Sequence, residues 1–534
     1  MTAPGLFVVA TLVFALSIPA ETLAGSTGPD HQQILAASGD GFIEEVNGLP
    51  VLHVKGSPYE MGRQYGILAG DRVEHAVSML EVIAGRDRGL KRFPIWLIGS
   101  VRKVAGFVFW FTFPDEVRQE IEGMVDGARE RGHSFTRFDV AFINSVIDLV
   151  GILKPAFNQR LPTSAERSDN WLISRLGLAW LTQNCDSMAV WGDRTVEGKT
   201  FQTRNVDIST GMGLEELPLV VVYKPNGRIP YVTAGFSGFV GVFTGMNAYG
   251  VGLGQVWGFS RKTQLATPWA MQIKDVFSRS RSAAEAVQLF RAKNDWTYGS
   301  NFIFADGEGH GFAVELNAER FVAFTDNDPK ENRALWRGQP YAVKMANAVF
   351  RGDAAMDPVL RSLQDASAGP DGDPRTTFSY QSRYKGQADR IASFENVGVL
   401  IGKAETESIS RDTASRNGSL QAAVYANTDR QLWVSYSRFL PDGSLQQAWQ
   451  GEYHHVPFAE YLPSIVERPD HRLEIRGDVY APSGAARIDA RDLELLIVRE
   501  GMAVAYGAVE DVQRGDQVVL RHRASGFVVD IKSY

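Results

Sequence analysis

Cysteine occurs once in the 534 residues, at Cys185. A single thiol excludes an intrachain disulfide and any multi-cysteine metal site. Positive charge is not in excess either. The net charge is -7, so the basic footprint of a nucleic-acid binder is missing. There is no P-loop and no GxGxxG after a strand, and HExxH is absent, so no cofactor and no metal are expected. Long apolar runs are lacking too. Leu6 to Ile18 covers about thirteen residues before Pro19, short of the roughly 20 that a membrane span needs. With Thr22-Leu23-Ala24 ahead of Gly25, the run reads as a signal peptide, residues 1–24, cut after Ala24 or Ala20. No Lys or Arg precedes it. The chain is therefore expected to be exported, periplasmic or secreted. In an oxidising compartment a lone cysteine is a liability unless it is buried or used.

What surrounds that cysteine organises the chain. Asn184-Cys185-Asp186-Ser187 leads into Met188-Ala189-Val190-Trp191-Gly192, whose alternation reads as a strand. Glu197-Gly198-Lys199 is a turn, and Thr200 to Val206 reads as the returning strand. Such a hairpin carries Arg204 and Asp207 back beside Cys185. A free cysteine is mostly protonated at neutral pH and needs an activator, and no histidine lies near. Cleavage between Asn184 and Cys185 would supply one. Cys185 would then own an α-amine with a pKa of about 7.7–8, a base at its own nucleophile. Arg204 would favour the thiolate, and Asp207 could accept hydrogen bonds from the ammonium. The bland alternative is a small buried hydrophobe, the more frequent fate of a lone cysteine.

Cys185 opening a strand, with Thr203-Arg204-Asn205-Val206-Asp207 on the return, resembles the N-terminal-nucleophile (Ntn) hydrolases. Among these it resembles the acyl-CoA:6-aminopenicillanate (isopenicillin N) acyltransferase-like enzymes and, more distantly, the bile-salt hydrolase and penicillin V acylase group. Gly56-Ser57-Pro58-Tyr59-Glu60-Met61-Gly62-Arg63-Gln64-Tyr65-Gly66 resembles a segment near the start of the acyltransferase-like family. The resemblance implies a four-layer αββα sandwich of the α+β class, with Cys185, Arg204 and Asp207 as catalytic residues. Gly245-Met246-Asn247-Ala248-Tyr249-Gly250 resembles the family turn ahead of an oxyanion donor. Gln255 stands where an asparagine is expected, offering its amide or its backbone N–H. Asn347 resembles a second donor, with Asn301 as its rival. Arg383, in Gln381-Ser382-Arg383-Tyr384, resembles a late arginine that orients the nucleophile and holds substrate, with Arg390 competing.

The chain divides into the signal peptide, a helical region over 25–184, a core over 185–465 and a small β module over 470–534. Within the first part, Gly41 to Lys55 suggests two strands around Asn47-Gly48. Ser57, Pro58 and Glu60 start a helix. Gly62 and Gly66 share one face of it, where a second element can approach closely. Phe93 to Phe113 is rich in aromatics but carries Arg102 and Lys103, so a core or lid helix is favoured over a surface that grips a fatty chain or touches a membrane. Pro114 to Gly132 and Thr136 to about Leu153 read as further helices, and 155–175 as a loop. After the hairpin, strands are expected over 217–223, 229–234, 239–244, 250–256, 301–305, 311–315, 321–325 and 341–350, with a helix from Ser282 to Arg291.

Two readings of different class remain. One is an exported, self-processing cysteine amidohydrolase, or an acyltransferase using the same thioester, acting on a small N-acyl substrate with a hydrophobic acyl group. The other is a non-catalytic exported binding protein on the same fold, kept open by Gln255. A papain-like pairing of Cys185 with His454 lacks the local cysteine signature, and the His454-His455 pair reads as surface.

Overall fold

The computed structural model describes residues 32–86, 95–158, 185–211, 213–364 and 373–462, and strands between 465 and 533. The expected signal peptide, Asn184 and most of the loop before it lie outside the described residues.

Three strands open the described chain: β1 (Gln32–Ser38), β2 (Gly41–Val46) and β3 (Leu49–Gly56). Asn47 and Gly48, at φ 49 and 83, join β2 to β3 with the positive φ pair that suits a two-residue hairpin. Ser57 Oγ accepts from the Glu60 N–H while the Glu60 carboxylate accepts from the Ser57 N–H, and this capping box starts α1 (Pro58–Arg86). Next come α2 (Ile95–Trp110), α3 (Asp115–Glu130), α4 (Arg137–Ile143) and α5 (Val146–Asn158). Thr136 caps α4 through a reciprocal box with Asp139.

After Cys185 the chain turns to strands: β4 (Asp186–Val190), β5 (Phe201–Asp207), β6 (Pro218–Pro225), β7 (Tyr231–Phe236), β8 (Gly245–Asn247) and β9 (Gly252–Trp257). Helices α6 (Trp269–Phe277) and α7 (Ala283–Lys293) lead to β10 (Ser300–Ala305), β11 (Gly311–Leu316) and β12 (Phe321–Phe324). A ribbon of β13 (Leu335–Trp336) and β14 (Gln339–Pro340) precedes β15 (Ala348–Arg351). Then follow α8 (Pro358–Leu363), α9 (Lys385–Asn396), α10 (Lys403–Thr413), β16 (Ser419–Ala426) and β17 (Gln431–Tyr436). A second ribbon, β18 (Arg438–Phe439) and β19 (Leu445–Gln446), precedes β20 (His454–Val456). Further on, Leu493–Arg499, Met502–Tyr506, Gln517–His522 and Val528–Ser533 form a four-stranded sheet.

Two sheets dominate. The larger has the order β1-β2-β3-β6-β7-β8-β9-β10-β11-β12, the smaller β15-β4-β5-β16-β17-β20. Strands β4 and β5 of the smaller sheet pack on β9 of the larger, and α10 packs on β5 and β16. The N-terminal region is less separate than its helices suggest. β3 pairs in parallel with β6, so residues ahead of Cys185 build one edge of the larger sheet. Two expected strands shrink. Residues 239–244 form a buried irregular segment, where the Val242 N–H donates to Ala270 O at 3.0 Å and Val240, Val242 and Phe243 pack in the core without a ladder. Of 341–350, only the end joins a sheet, as β15.

The aromatic stretch divides between two environments. Phe109, Trp110 and Phe113 are buried, whereas Val104, Phe107 and Val108 on α2, and Phe111 just after it, are exposed. Arg102 is buried against Asp139 at 3.0 Å, which accommodates its charge. No described helix is long and apolar enough to cross a membrane.

Helices α1 and α3 meet through glycines on both sides. A Cβ on Gly62 would stand 1.8 Å from Glu120 O and one on Gly66 2.0 Å from Met124 O, while Gly123 and Gly127 face Tyr59 O and Arg63 O in return. The helices can touch backbone to backbone only because these positions carry no side chain. Gly62→Ala is therefore expected to destabilise the protein by about 3 kcal/mol despite the better helix propensity of alanine. Urea unfolding measures this, and an unchanged midpoint would contradict the close approach.

Candidate active site

The β4–β5 hairpin places the first groups. Asp186 pairs with Asn205 and Ser187 with Arg204 in antiparallel register. Both faces of β4 are buried, as the alternation requires: Met188 and Val190 enter one apolar cluster, Ala189 and Trp191 another. The turn is longer than expected, with two short helical turns over 192–194 and 196–198. Ser187 faces the larger sheet, where Gly254 makes room for it: a Cβ there would lie 1.8 Å from Ser187 Oγ. Arg204 reaches the same sheet, donating from Nη2 to Gln255 Oε1 at 3.1 Å and from Nη1 to the Asn205 carbonyl at 2.7 Å. Gln255 in turn donates to Ser300 Oγ at 3.2 Å. Gln255 thus sits on the arginine that faces the thiol.

The opposite face of β5 carries a second group. Asp207 accepts from Arg383 Nη2 at 2.8 Å and from the Ser415 N–H at 2.9 Å. Asp186 accepts from Asn205 Nδ2 and from Thr413 Oγ1 at 3.0 Å, and lies 3.9 Å from Arg383 Nη1. Arg383 lies in a π-helical turn, Ser379–Tyr384, a local irregularity frequent at functional sites. It is buried rather than exposed. Arg390 points elsewhere, to Asp412 and Ser408.

Cys185 is buried between these groups. Burial pushes its thiol above the usual range, the Arg204 guanidinium pulls it down, and the Asp207 and Asp353 charges push it up again. In the uncut chain the sulfur is therefore a neutral thiol. Asp207 is raised to about 7, by burial first and against the pull of Arg383. Burial also opposes the Arg383 charge, but Asp207, Asp353 and Asp186 outweigh it and keep the guanidinium protonated.

One expected donor is not here. Asn347 adjoins the far end of β15, where its carbonyl accepts from the Trp191 N–H at 3.0 Å and its own N–H donates to Asp326. That is six residues along the chain from the position facing Cys185, about 20 Å of extended strand. The β15–β4 register decides this. Arg351 pairs with Ser187, so the position two residues further on, Asp353, stands opposite Cys185. The Cys185 N–H donates to Asp353 Oδ1 at 3.1 Å. Sequence reasoning missed Asp353, because its place follows from an edge-strand register that no local pattern announces. Asn301 proves relevant in another way: its Nδ2 donates to Gly352 O at 2.8 Å and Asp353 O at 3.3 Å, fixing the segment that carries Asp353. His454 and His455 lie on β20, four strands from β4, about 19 Å at ordinary strand spacing, which removes the papain-like pairing.

Arg204 Nε, Arg383 Nε, Asp207 Oδ1 and Asp353 Oδ2 are buried without a hydrogen-bond partner among the described residues. Native proteins rarely leave several such groups together. A cavity of about 370 Å³ near Ser57, Pro114, Arg228 and Lys274 shares no residue with this cluster. No group of acidic, histidine or cysteine side chains among the described residues could hold a metal ion.

No protein-family model matches the chain. An uncharacterised protein of Archaeoglobus fulgidus is 27% identical over 297 residues, which is 53% of this chain and 46% of that protein. The match thus spans less than half of that relative. Among solved structures, the chain is similar to an N-acylethanolamine-hydrolysing acid amidase orthologue of Caenorhabditis elegans. That match has a TM-score of 0.33 and 15% identity, over 51% of this chain and all of the other. It is also similar to penicillin V acylase of Agrobacterium tumefaciens, at 0.31 and 13%, over 47% and 83%. A Cys-to-Ala mutant of the conjugated bile acid hydrolase of Clostridium perfringens gives 0.31 and 12%, over 55% and 96%. At these scores the likeness is coarse, and the geometry around Cys185 stands on its own.

Arg383 is the counter-charge of three carboxylates. Arg383→Met is expected to cost about 3–5 kcal/mol of stability, the usual result of stranding a buried charge. The loss should be greater at pH 7 than at pH 5. A carboxyl raised by folding gains stability from its proton at low pH and loses it as pH climbs towards the folded pKa, and the variant raises that pKa further. Urea unfolding at the two pH values measures both effects, and an equal penalty at both would contradict the pairing.

Proposed function

We propose that this chain is an exported, self-processing N-terminal-cysteine amidohydrolase of the Ntn type, built on an αββα sandwich. The observation that carries the reading is the gathering around one buried cysteine of Arg204 from β5, itself held by Gln255 from β9, of Arg383 from the π-helical turn, and of a carboxylate that accepts from the Cys185 N–H. The facing sheets, with α10 against β5 and β16, support the layering. Cleavage between Asn184 and Cys185 gives the sulfur an amine of its own. The amine takes the thiol proton as the thiolate attacks a non-peptide amide. Arg204, aimed by Gln255, favours the thiolate, and the second amide N–H of Gln255 serves the developing oxyanion. The leaving amine takes the proton back, and water releases the acyl group from the thioester. An amine acceptor in place of water makes the same site an acyltransferase. The substrate is a small N-acyl compound with a hydrophobic acyl group, and the exposed side of α2 supports peripheral contact with a lipid source of it.

Intact mass and denaturing electrophoresis test the reading. Two fragments meeting at Cys185 are expected, with a single chain for Cys185→Ala. A panel of N-acyl amino acids, penicillins, bile-salt conjugates and fatty amides should then yield at least one hydrolysed substrate and a matching acyl mass on the cysteine fragment. An unbroken wild-type chain inert to thiol reagents would favour the second reading, a binding protein in which Cys185 is only packed.

A further inference from the structure

The cluster around Cys185 is one positive charge short. Asp186, Asp207 and Asp353 face Arg204 and Arg383. Asp186, Asp207 and both arginines are buried, and although Asp353 as a residue is partly exposed, its Oδ2 is shielded from solvent. Arg361 on α8 also feels Asp353, but it feels Glu315 as well. It belongs to a neighbouring group that is balanced by itself: Arg351 and Arg361 against Glu315 and Glu331. In the inner cluster one carboxyl must therefore hold a proton, and a cut ahead of Cys185 would create the missing cation in place.

Asp207, raised to about 7, holds that proton more firmly than Asp353, but geometry selects the carboxyl that can pass one to the Cys185 nitrogen. Asp186 and Asp207 are engaged by Asn205, Thr413, Arg383 and Ser415 on the helix side of β5. Asp353 alone touches the Cys185 nitrogen, at 3.1 Å. Its main chain is fixed from three elements, with its N–H donating to Ser379 Oγ and its carbonyl accepting from Asn301 and Gln364.

We propose that Asp353 gives the Cys185 nitrogen its proton when the Asn184–Cys185 bond breaks, and then pairs with the ammonium that results. This rests on the self-processing reading. Sγ loses its proton to solvent and bonds to the Asn184 carbonyl carbon. The C–N bond breaks, and the nitrogen leaves with the proton from Asp353. Solvent reprotonates the cluster, so the rearrangement to a thioester has no net proton change. Water then adds to the thioester, the C–S bond breaks, and Asn184 leaves as a carboxylic acid with the thiol restored. Burial, opposed by Arg383 and by hydrogen bonds from Ser379 and Cys185, puts Asp353 at about 6, where an acid is useful near neutrality.

The pH profile of self-cleavage separates this role from a structural one. Below pH about 6 Asp353 stays protonated, and the rate rises tenfold per unit with the thiolate fraction. Above it, loss of the acid cancels the gain in thiolate, and the rate is level. Asp353→Asn removes the acid. Its rate should be about 100-fold lower at pH 6, climb tenfold per unit throughout, and close on the wild type at alkaline pH, while Asp353→Glu restores the level region. Full-length chain from cell-free translation, followed by intact mass between pH 5 and 8.5, gives these rates. Parallel profiles within threefold of each other would overturn the role of Asp353 while leaving self-cleavage standing. A wild type that stays whole at every pH would overturn both. If Asp353→Asn fails to fold, a wild-type rate that rises without a break through pH 8 overturns the role of Asp353.

Discussion

Everything at this site depends on burying charge around a sulfur. Three carboxylates and two guanidiniums share a space from which solvent is largely excluded, and each ion is tolerable only through its neighbours. Arg383 binds Asp207 and lies against Asp186, while Arg204 is held by Gln255 and by its own strand. A neutral thiol is the consistent state of Cys185 among them. On the proposed reading, its action on a substrate waits on the amine that a cut ahead of it would supply.

The architecture delivers these groups from four directions because two sheets face each other at β4, β5 and β9. Successive residues of β5 point alternately to the larger sheet and to the helices. Arg204 consequently meets Gln255, while Asn205 and Asp207 meet α10 and the turn that carries Arg383. The glycine contact between α1 and α3 and the parallel pairing of β3 with β6 anchor the segment before Cys185 to the larger sheet. Residues on both sides of the cysteine thus belong to one body of structure, which fits a chain that folds whole before any cut.

Much of this was legible in the residues. The hairpin, the proximity of Arg204 to Cys185, the capping box at Ser57, and most strands after Asp207 follow from alternation, caps and turns. These are local signals that act over a few residues. What stayed hidden is non-local. Asp353 reaches Cys185 through the register of β15 on β4, and Asn347 is displaced by the same register. The run from Phe239 to Thr244 looked like a strand because it is mostly apolar. Burial alone explains that composition, and the segment packs without a ladder. The burial of Arg383 had no local signal either, because it rests on the contact of the Ser379–Tyr384 turn with Asp207 across the chain.

On the proposed reading, Cys185 becomes a chain end carrying both a thiol and an amine. A cyanobenzothiazole probe condenses with a 1,2-aminothiol and leaves an internal cysteine without a stable product, so it reads this state directly. One stable label per molecule is expected, on the fragment that begins at Cys185, with none on Cys185→Ala. A protein that takes up no stable label even when unfolded, while its thiol reacts with an ordinary alkylating reagent, would contradict it.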